Sequence, residues 1–280
     1  LLLVLDLPWA MTTFVLLKLW FCGVCAWACG LGMGLRPGAA GFLSVAWMLS
    51  GYCVLWANWP LTDVAAWMPL LFLGVDLILR GRGAAGVLVG TAAATLLLLA
   101  GHPETAFTFS FGLGVCFLFQ VLWALRFREP VVRPVLLCGL VWLLALLICA
   151  VQLAPFLEYL ANSSAVQERS HGSLAYPVTA AAALWAPRFF GTWTEHNFWG
   201  SIHSHMYSML YVGVGAWIVM ALLPPLLIGA SNAGDRDRPL NRRRAACLLG
   251  ALCVSLLLAF DAPTIGLINR LPVFRSVIFF

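Results

Sequence analysis

Residues 134–156 read PVLLCGLVWLLALLICAVQLAPF and carry no charge. The stretch covers the roughly 20 residues that a helix needs to cross the hydrocarbon of a bilayer, and it lacks the alternation of a barrel strand. In hydrocarbon every backbone polar group must be bonded within its own segment, so the stretch reads as a transmembrane helix. Arg126, Arg128 and Arg133 precede it and Glu158 follows it, which gives it a direction. Similar apolar runs lie near 11–34, 38–57, 63–79, 84–100, 105–125, 207–229 and 245–260. With 134–156 they make eight expected spans, and the fold class read from them is an all-α, polytopic transmembrane helix bundle.

Composition agrees. The chain is 62% hydrophobic and 10% charged, with a mean hydropathy of +0.95, more apolar surface than a soluble domain can cover. Arg36, the pair Arg80 and Arg82, the group Arg126, Arg128 and Arg133, and the run from Arg236 to Arg244 fall at alternate connections. The positive-inside rule places those connections in the cytoplasm and accounts for the net charge of +5 without a nucleic-acid partner. All five histidines and seven of the eleven acidic residues then lie on the other, extracytoplasmic face, so chemistry is expected there. The chain reads as one transmembrane domain over 1–280, with an extracytoplasmic loop at 158–206 and a basic cytoplasmic loop at 230–244. It starts at Leu1 inside an apolar run and stops at Phe280 inside another, which reads as a piece of a longer protein.

Several residues are candidates for chemistry. Lys18 is a cation well inside a span, a costly position unless it meets a carboxylate from another helix or a lipid phosphate. His102 and Glu104 share a short turn; they form either a binding site at the rim or a plain helix start, with Pro103 at the first position and Glu104 near the positive helix end. Glu158 closes a span that Pro155 is expected to break, and it can pair with Arg169 or contact substrate. Arg169, Arg188, Arg270 and Arg275 are the few cations on the acidic side, suited to a lipid phosphate or to neighbouring carboxylates. Asp76 is neutralised by Arg80 one turn on.

The 158–206 loop is rich in aromatics, and 179–185 is expected to form a short interfacial helix. Glu195, His196, His203 and His205 give it enough donors for a divalent metal ion, the one cofactor candidate, although their spacing matches no tight motif. Ordinary loop polarity and general acid–base work are the other readings. All nine cysteines fall in apolar spans; Cys22, Cys25 and Cys29 share a helix face and read as small packing residues.

Six segments, in order, carry a resemblance: Gly41-Phe42 to Ser50-Gly51, Trp67-Met68-Pro69-Leu70, Gly101-His102-Pro103-Glu104-Thr105-Ala106, Gln152-Leu153-Ala154-Pro155-Phe156-Leu157-Glu158, Tyr211-Val212-Gly213 and Leu271-Pro272-Val273-Phe274-Arg275. Together they resemble the YfhO family of bacterial membrane proteins, which is similar to the GT-C superfamily of glycosyltransferases. The resemblance implies a GT-C-like bundle in a bacterial cytoplasmic membrane that moves a sugar from a polyprenyl-phosphate carrier to a cell-envelope acceptor, such as a lipoteichoic-acid-type polymer. It also implies an acidic residue acting as the base upstream of Leu1, and further helices after Phe280. Arg169 or Arg275 would then hold phosphate, Lys18 would assist, and His102, Glu104, Glu158 and Glu195 would meet sugar or acceptor. Other classes fit the same residues: a transporter or lipid flippase, a membrane hydrolase with a histidine-bound metal, or a scaffold subunit.

Overall fold

The structure is a computed structural model that describes residues 6–162, 177–192, 195–200, 210–211, 217 and 238–259. All regular structure among them is helical: α1 (Leu7–Gly32), α2 (Pro37–Met48), α3 (Gly51–Leu55), α4 (Pro60–Leu79), α5 (Gly83–Leu99), α6 (Pro103–Arg126), α7 (Val132–Asn162), a 3-10 helix (Val178–Leu184) and α8 (Arg238–Ala259). Pro8, Pro37, Pro60 and Pro103 stand in the first turns of α1, α2, α4 and α6, where the missing N–H costs nothing and the fixed φ favours the helix.

Four helices among the described residues, α1, α4, α6 and α7, are long and apolar enough to cross a membrane. That is fewer than the eight expected spans. The 38–57 run is interrupted: α2 stops at Met48, Ser50 caps a new helix by accepting the Cys53 N–H at 3.3 Å, and α3 follows. α5 has 17 residues and α8 a short apolar part, Ala245–Val254; the 207–229 run lies outside the described residues apart from positions 210, 211 and 217. Pro155 does not end its helix, since α7 continues to Asn162. Proline forfeits one hydrogen bond to the carbonyl four residues back, a single loss that the remaining bonds of a 31-residue helix outweigh. The basic 230–244 loop is helical from Arg238 onward.

α4 is the axis. It packs on α1, α5, α6 and α7, and buries Val64, Ala65, Leu71 and Ile78 almost completely. The contact with α5 is close because it is built from glycine: a Cβ added at Gly74 would sit 2.6 Å from Gly90 Cα and 3.1 Å from Gly86 O. On the other side α1 turns Cys22, Cys25, Ala26 and Cys29 inward, each at most 4% exposed. This is the small-residue face expected of the three cysteines.

At one end of the bundle, which carries Arg36, Arg82, Arg126, Arg128 and Arg133 and is called here the basic end, Asp76 pairs with Arg80 at 2.6 Å as expected. The same guanidinium donates to Gly32 O at 2.6 Å and so ties the end of α1 to the end of α4. Because the Gly74 contact is backbone on backbone, Gly74→Ala is expected to cost about 1–3 kcal/mol. Gly112 has no neighbour within 4 Å of an added Cβ among the described residues, so Gly112→Ala should leave stability unchanged or slightly raised. Thermal unfolding of the two purified variants checks this; equal melting temperatures would refute the close packing.

Candidate functional site

The end of the bundle opposite the arginines gathers the buried cation, a carboxylate and the α5–α6 turn. Lys18 lies in the middle of α1 with its side chain 5% exposed, and Asp63 lies in the first turn of α4 with its side chain 36% exposed. The Lys18 ammonium stands 3.0 Å from Asp63 Oδ1 and donates to Oδ2 at 3.1 Å and to Trp59 O at 3.2 Å. The Phe14 ring centroid is 4.8 Å away. An ammonium has three protons, and the two carboxylate oxygens and the carbonyl account for them. An unpaired lysine at this depth would cost about 3 kcal/mol on insertion scales, so the pair is what admits Lys18 to the bundle. Of the two partners open from sequence, the carboxylate is the one present, and any phosphate must compete with it.

The rest of the rim follows from the helix break. Ser50 and Leu49 interrupt the α2–α3 run, and the Gly51 N–H donates to Tyr211 O at 3.0 Å. Tyr52 Oη lies 3.3 Å from Thr105 Oγ1, which brings α3 against the first turn of α6. Thr62 Oγ1 donates to Cys53 O at 3.2 Å and joins α3 to α4. Three of the six motif-like segments, those around Ser50, Thr105 and Tyr211, therefore meet at the break.

His102 is the N-cap of α6: its Nδ1 accepts the Thr105 N–H at 3.2 Å. That bond assigns the neutral tautomer with its proton on Nε2. Glu104 is the acidic residue of the first turn, where the helix dipole favours it. The helix-start reading of this turn is thus realised, with His102 capping α6 and Glu104 in its first turn. Pro60, the first residue of α4, lies beneath the turn, 4.0 Å from a Cβ built at Gly101.

The other candidates are dispersed. Glu158 is exposed on the last turns of α7, and its backbone carbonyl accepts Asn162 Nδ2 at 2.9 Å. Glu195 belongs to an exposed turn in which its carboxylate meets Arg188 at 3.4 Å and Asn197 Nδ2 at 3.2 Å. Thr192 N donates to Asn197 Oδ1 at 2.8 Å, and His196 is exposed with φ +53°. A short helix stands near the expected 179–185, the 3-10 helix Val178–Leu184, and Trp185 beyond it stacks on Trp217 with ring centroids 4.1 Å apart. Arg169, His203, His205 and Arg275 lie outside the described residues. Among the described residues no group of three His, Cys, Asp or Glu side chains is placed to hold a metal ion.

Sequence reasoning did not single out Asp63, Trp59 or Tyr52. The demand of Lys18 for a carboxylate on another helix was the signal for Asp63. No protein-family model, no curated protein and no solved structure matches the chain.

Because Asp63 is partly solvated, Asp63→Asn is expected to cost about 1–3 kcal/mol, less than the 3–5 kcal/mol of a fully buried pair. Replacing both partners, Lys18→Met with Asp63→Leu, should recover most of the loss. Additive losses in a double-mutant cycle would refute the coupling.

Proposed function

We propose that the chain is a GT-C-like membrane glycosyltransferase that moves a sugar from a polyprenyl-phosphate carrier to a cell-envelope acceptor. In this reading the protein sits in a bacterial cytoplasmic membrane with the Lys18–Asp63 rim on its extracytoplasmic side. The observation that carries the reading is the half-open ion pair itself, a carboxylate reached by solvent on one side and held by a buried ammonium on the other. The location of His102 and Glu104 on the adjoining turn supports it, as does the charge asymmetry of the sequence.

The chemistry is a displacement at the anomeric carbon of the donor. The acceptor hydroxyl attacks that carbon, its proton passes to a carboxylate, the bond from carbon to the carrier phosphate oxygen breaks, and polyprenyl phosphate leaves with the electron pair. Asp63 is suited to take the proton. Once it is neutral, its hold on Lys18 weakens and the ammonium becomes available to the phosphate charge that develops in the same step. His102 and Glu104 would orient sugar hydroxyls. The Arg188–Glu195 turn lies on the same side of the sequence's charge division, and Arg169 and Arg275 remain candidates for holding the carrier.

A second reading is favoured by one specific feature. A helix interrupted at Leu49-Ser50, with a backbone N–H bonded to a distant segment, resembles the discontinuous helices that transporters build around their sites. A transporter or lipid flippase would use the same rim to capture a headgroup without breaking a bond.

Proteoliposomes loaded with radiolabelled polyprenyl-phosphate sugars separate the two. Wild-type protein is expected to transfer label to an envelope acceptor, and Asp63→Asn to lower the rate by about 100-fold or more while the purified variant still gives a cooperative melt. No transfer from any donor would sink the glycosyltransferase, and movement of intact labelled lipid across the bilayer would replace it with the flippase.

A further inference from the structure

Four helices among the described residues end in a left-handed residue just past the C-cap: Gly34 after α1, Gly81 after α4, Gly101 after α5 and Arg128 after α6. Three of them close the same way. After α1 the N–H groups of Gly34 and Leu35 bond to Leu31 O and Gly30 O; after α4 those of Gly81 and Arg82 bond to Ile78 O and Leu77 O; after α6 those of Arg128 and Glu129 bond to Leu125 O and Ala124 O. This Schellman closure calls for glycine, because any Cβ is crowded at positive φ. α6 alone places an arginine there, at φ +57°. A residue held in an unfavourable conformation that its neighbours could have avoided points to a use for its side chain.

The surroundings define the use. Arg128 is exposed. Its sequence neighbour Glu129 is taken by Arg243, whose Nη1 lies 2.6 Å from Glu129 Oε2 while its Nε donates to Gln120 Oε1 at 2.7 Å. Arg128 has no side-chain ion pair or hydrogen bond among the described residues. Arg126, two residues back, has a plain role at the negative end of α6, and Arg133 lies beside Gly83 at the start of α5, on the flank of α7 that carries Leu137. Arg128 stands on the connection between α6 and α7. Those two helices and α4 enclose an apolar groove of about 230 Å3, walled by Ser110, Gly114 and Phe117 on α6 and by Val135, Gly139 and Trp142 on α7. An added Cβ at Gly114 or Gly139 meets nothing within 4 Å among the described residues. The eight residues from Ser110 to Phe117 and from Val135 to Trp142 give the groove a length of about 10 Å, comparable to the roughly 15 Å of one leaflet. Ser110 Oγ donates to Ala106 O at 2.6 Å, so its hydroxyl proton is already bonded.

We propose that the groove between α6 and α7 binds one anionic phospholipid, with an acyl chain between the helices and its phosphate on Arg128. Charge complementarity selects the occupant, because a guanidinium with no ion pair among the described residues, on the connection between the two helices that wall an apolar groove, fits a headgroup that carries a net negative charge. The inference stands apart from the reaction proposed above, at the other end of the bundle.

The test is thermal unfolding of the purified protein in mild detergent, with dioleoylphosphatidylglycerol or dioleoylphosphatidylcholine added. Wild type should be stabilised more by the anionic lipid. Arg128→Gly should melt about 2–4 °C higher than wild type without lipid and lose the phosphatidylglycerol-specific increment, an opposition that a merely structural arginine would not produce. Arg133→Gln removes the same charge from the other flank of α7 and should keep the increment, whereas Gly139→Leu, which fills the groove, should lose it. Equal stabilisation by both lipids, retention of the increment in Arg128→Gly or in Gly139→Leu, or its loss in Arg133→Gln as in Arg128→Gly, would overturn the proposal.

Discussion

The bundle depends on how α4 neutralises charge at its two ends. Asp63 in its first turn meets Lys18 of α1, and Asp76 in its last turns meets Arg80, whose guanidinium continues to the carbonyl of Gly32 at the end of α1. Two parallel helices are thereby pinned at two levels, so neither can slide along the other without leaving a charge or a carbonyl unpaired in an apolar setting. The glycine contact with α5 then has a fixed surface to approach, and α7 packs on α5 in turn. Without the pins, small residues on α1 and α4 would define proximity but not register.

The two ends of the bundle use their charges differently. At the basic end the cations that are paired meet fixed partners: Arg80 is held by Asp76 and Gly32, and Arg243 by Gln120 and Glu129. At the opposite end the paired charge stays open to solvent through Asp63, and the nearby polar groups, Tyr52, Thr105 and His102, join α3 to the start of α6. One end resists rearrangement while the other keeps a charge that can be exchanged. This difference, more than any single residue, directs the functional reading to the Lys18–Asp63 rim.

Much of the fold was legible because its signals are local. The uncharged run at 134–156 announces α7, Pro103 announces the first turn of α6, and Asp76 with Arg80 is a pair within one turn. The cysteine face of α1 is likewise a matter of helical spacing. The failures share a different cause. The break at Leu49-Ser50 sits inside a run apolar enough to pass for a continuous span, and its acceptor is Tyr211, far along the chain. Pro155 was a sound local signal for a helix end, overridden because one missing hydrogen bond on an exposed turn does not outweigh the rest of a long helix. At the site, sequence identified His102 and Glu104 as groups at the rim and Lys18 as a cation inside a span in need of a partner, yet Asp63 is 45 positions from Lys18, and nothing in spacing alone joins them. The conformation of Arg128 has no signature in composition at all.

The bond from Gly51 to Tyr211 also bears on how the molecule is made. As the chain emerges, Gly51 is synthesised well before Tyr211, on the order of 10 s earlier at ribosomal rates. Throughout that interval the donor at the helix break has no native partner, so the nascent bundle must hold α3 in a provisional state, satisfied by water or by the insertion machinery. Closure of the Gly51–Tyr211 bond is therefore a late event in biogenesis, whereas Lys18, Asp63, His102 and Glu104 are all present in the chain well before residue 211 is made.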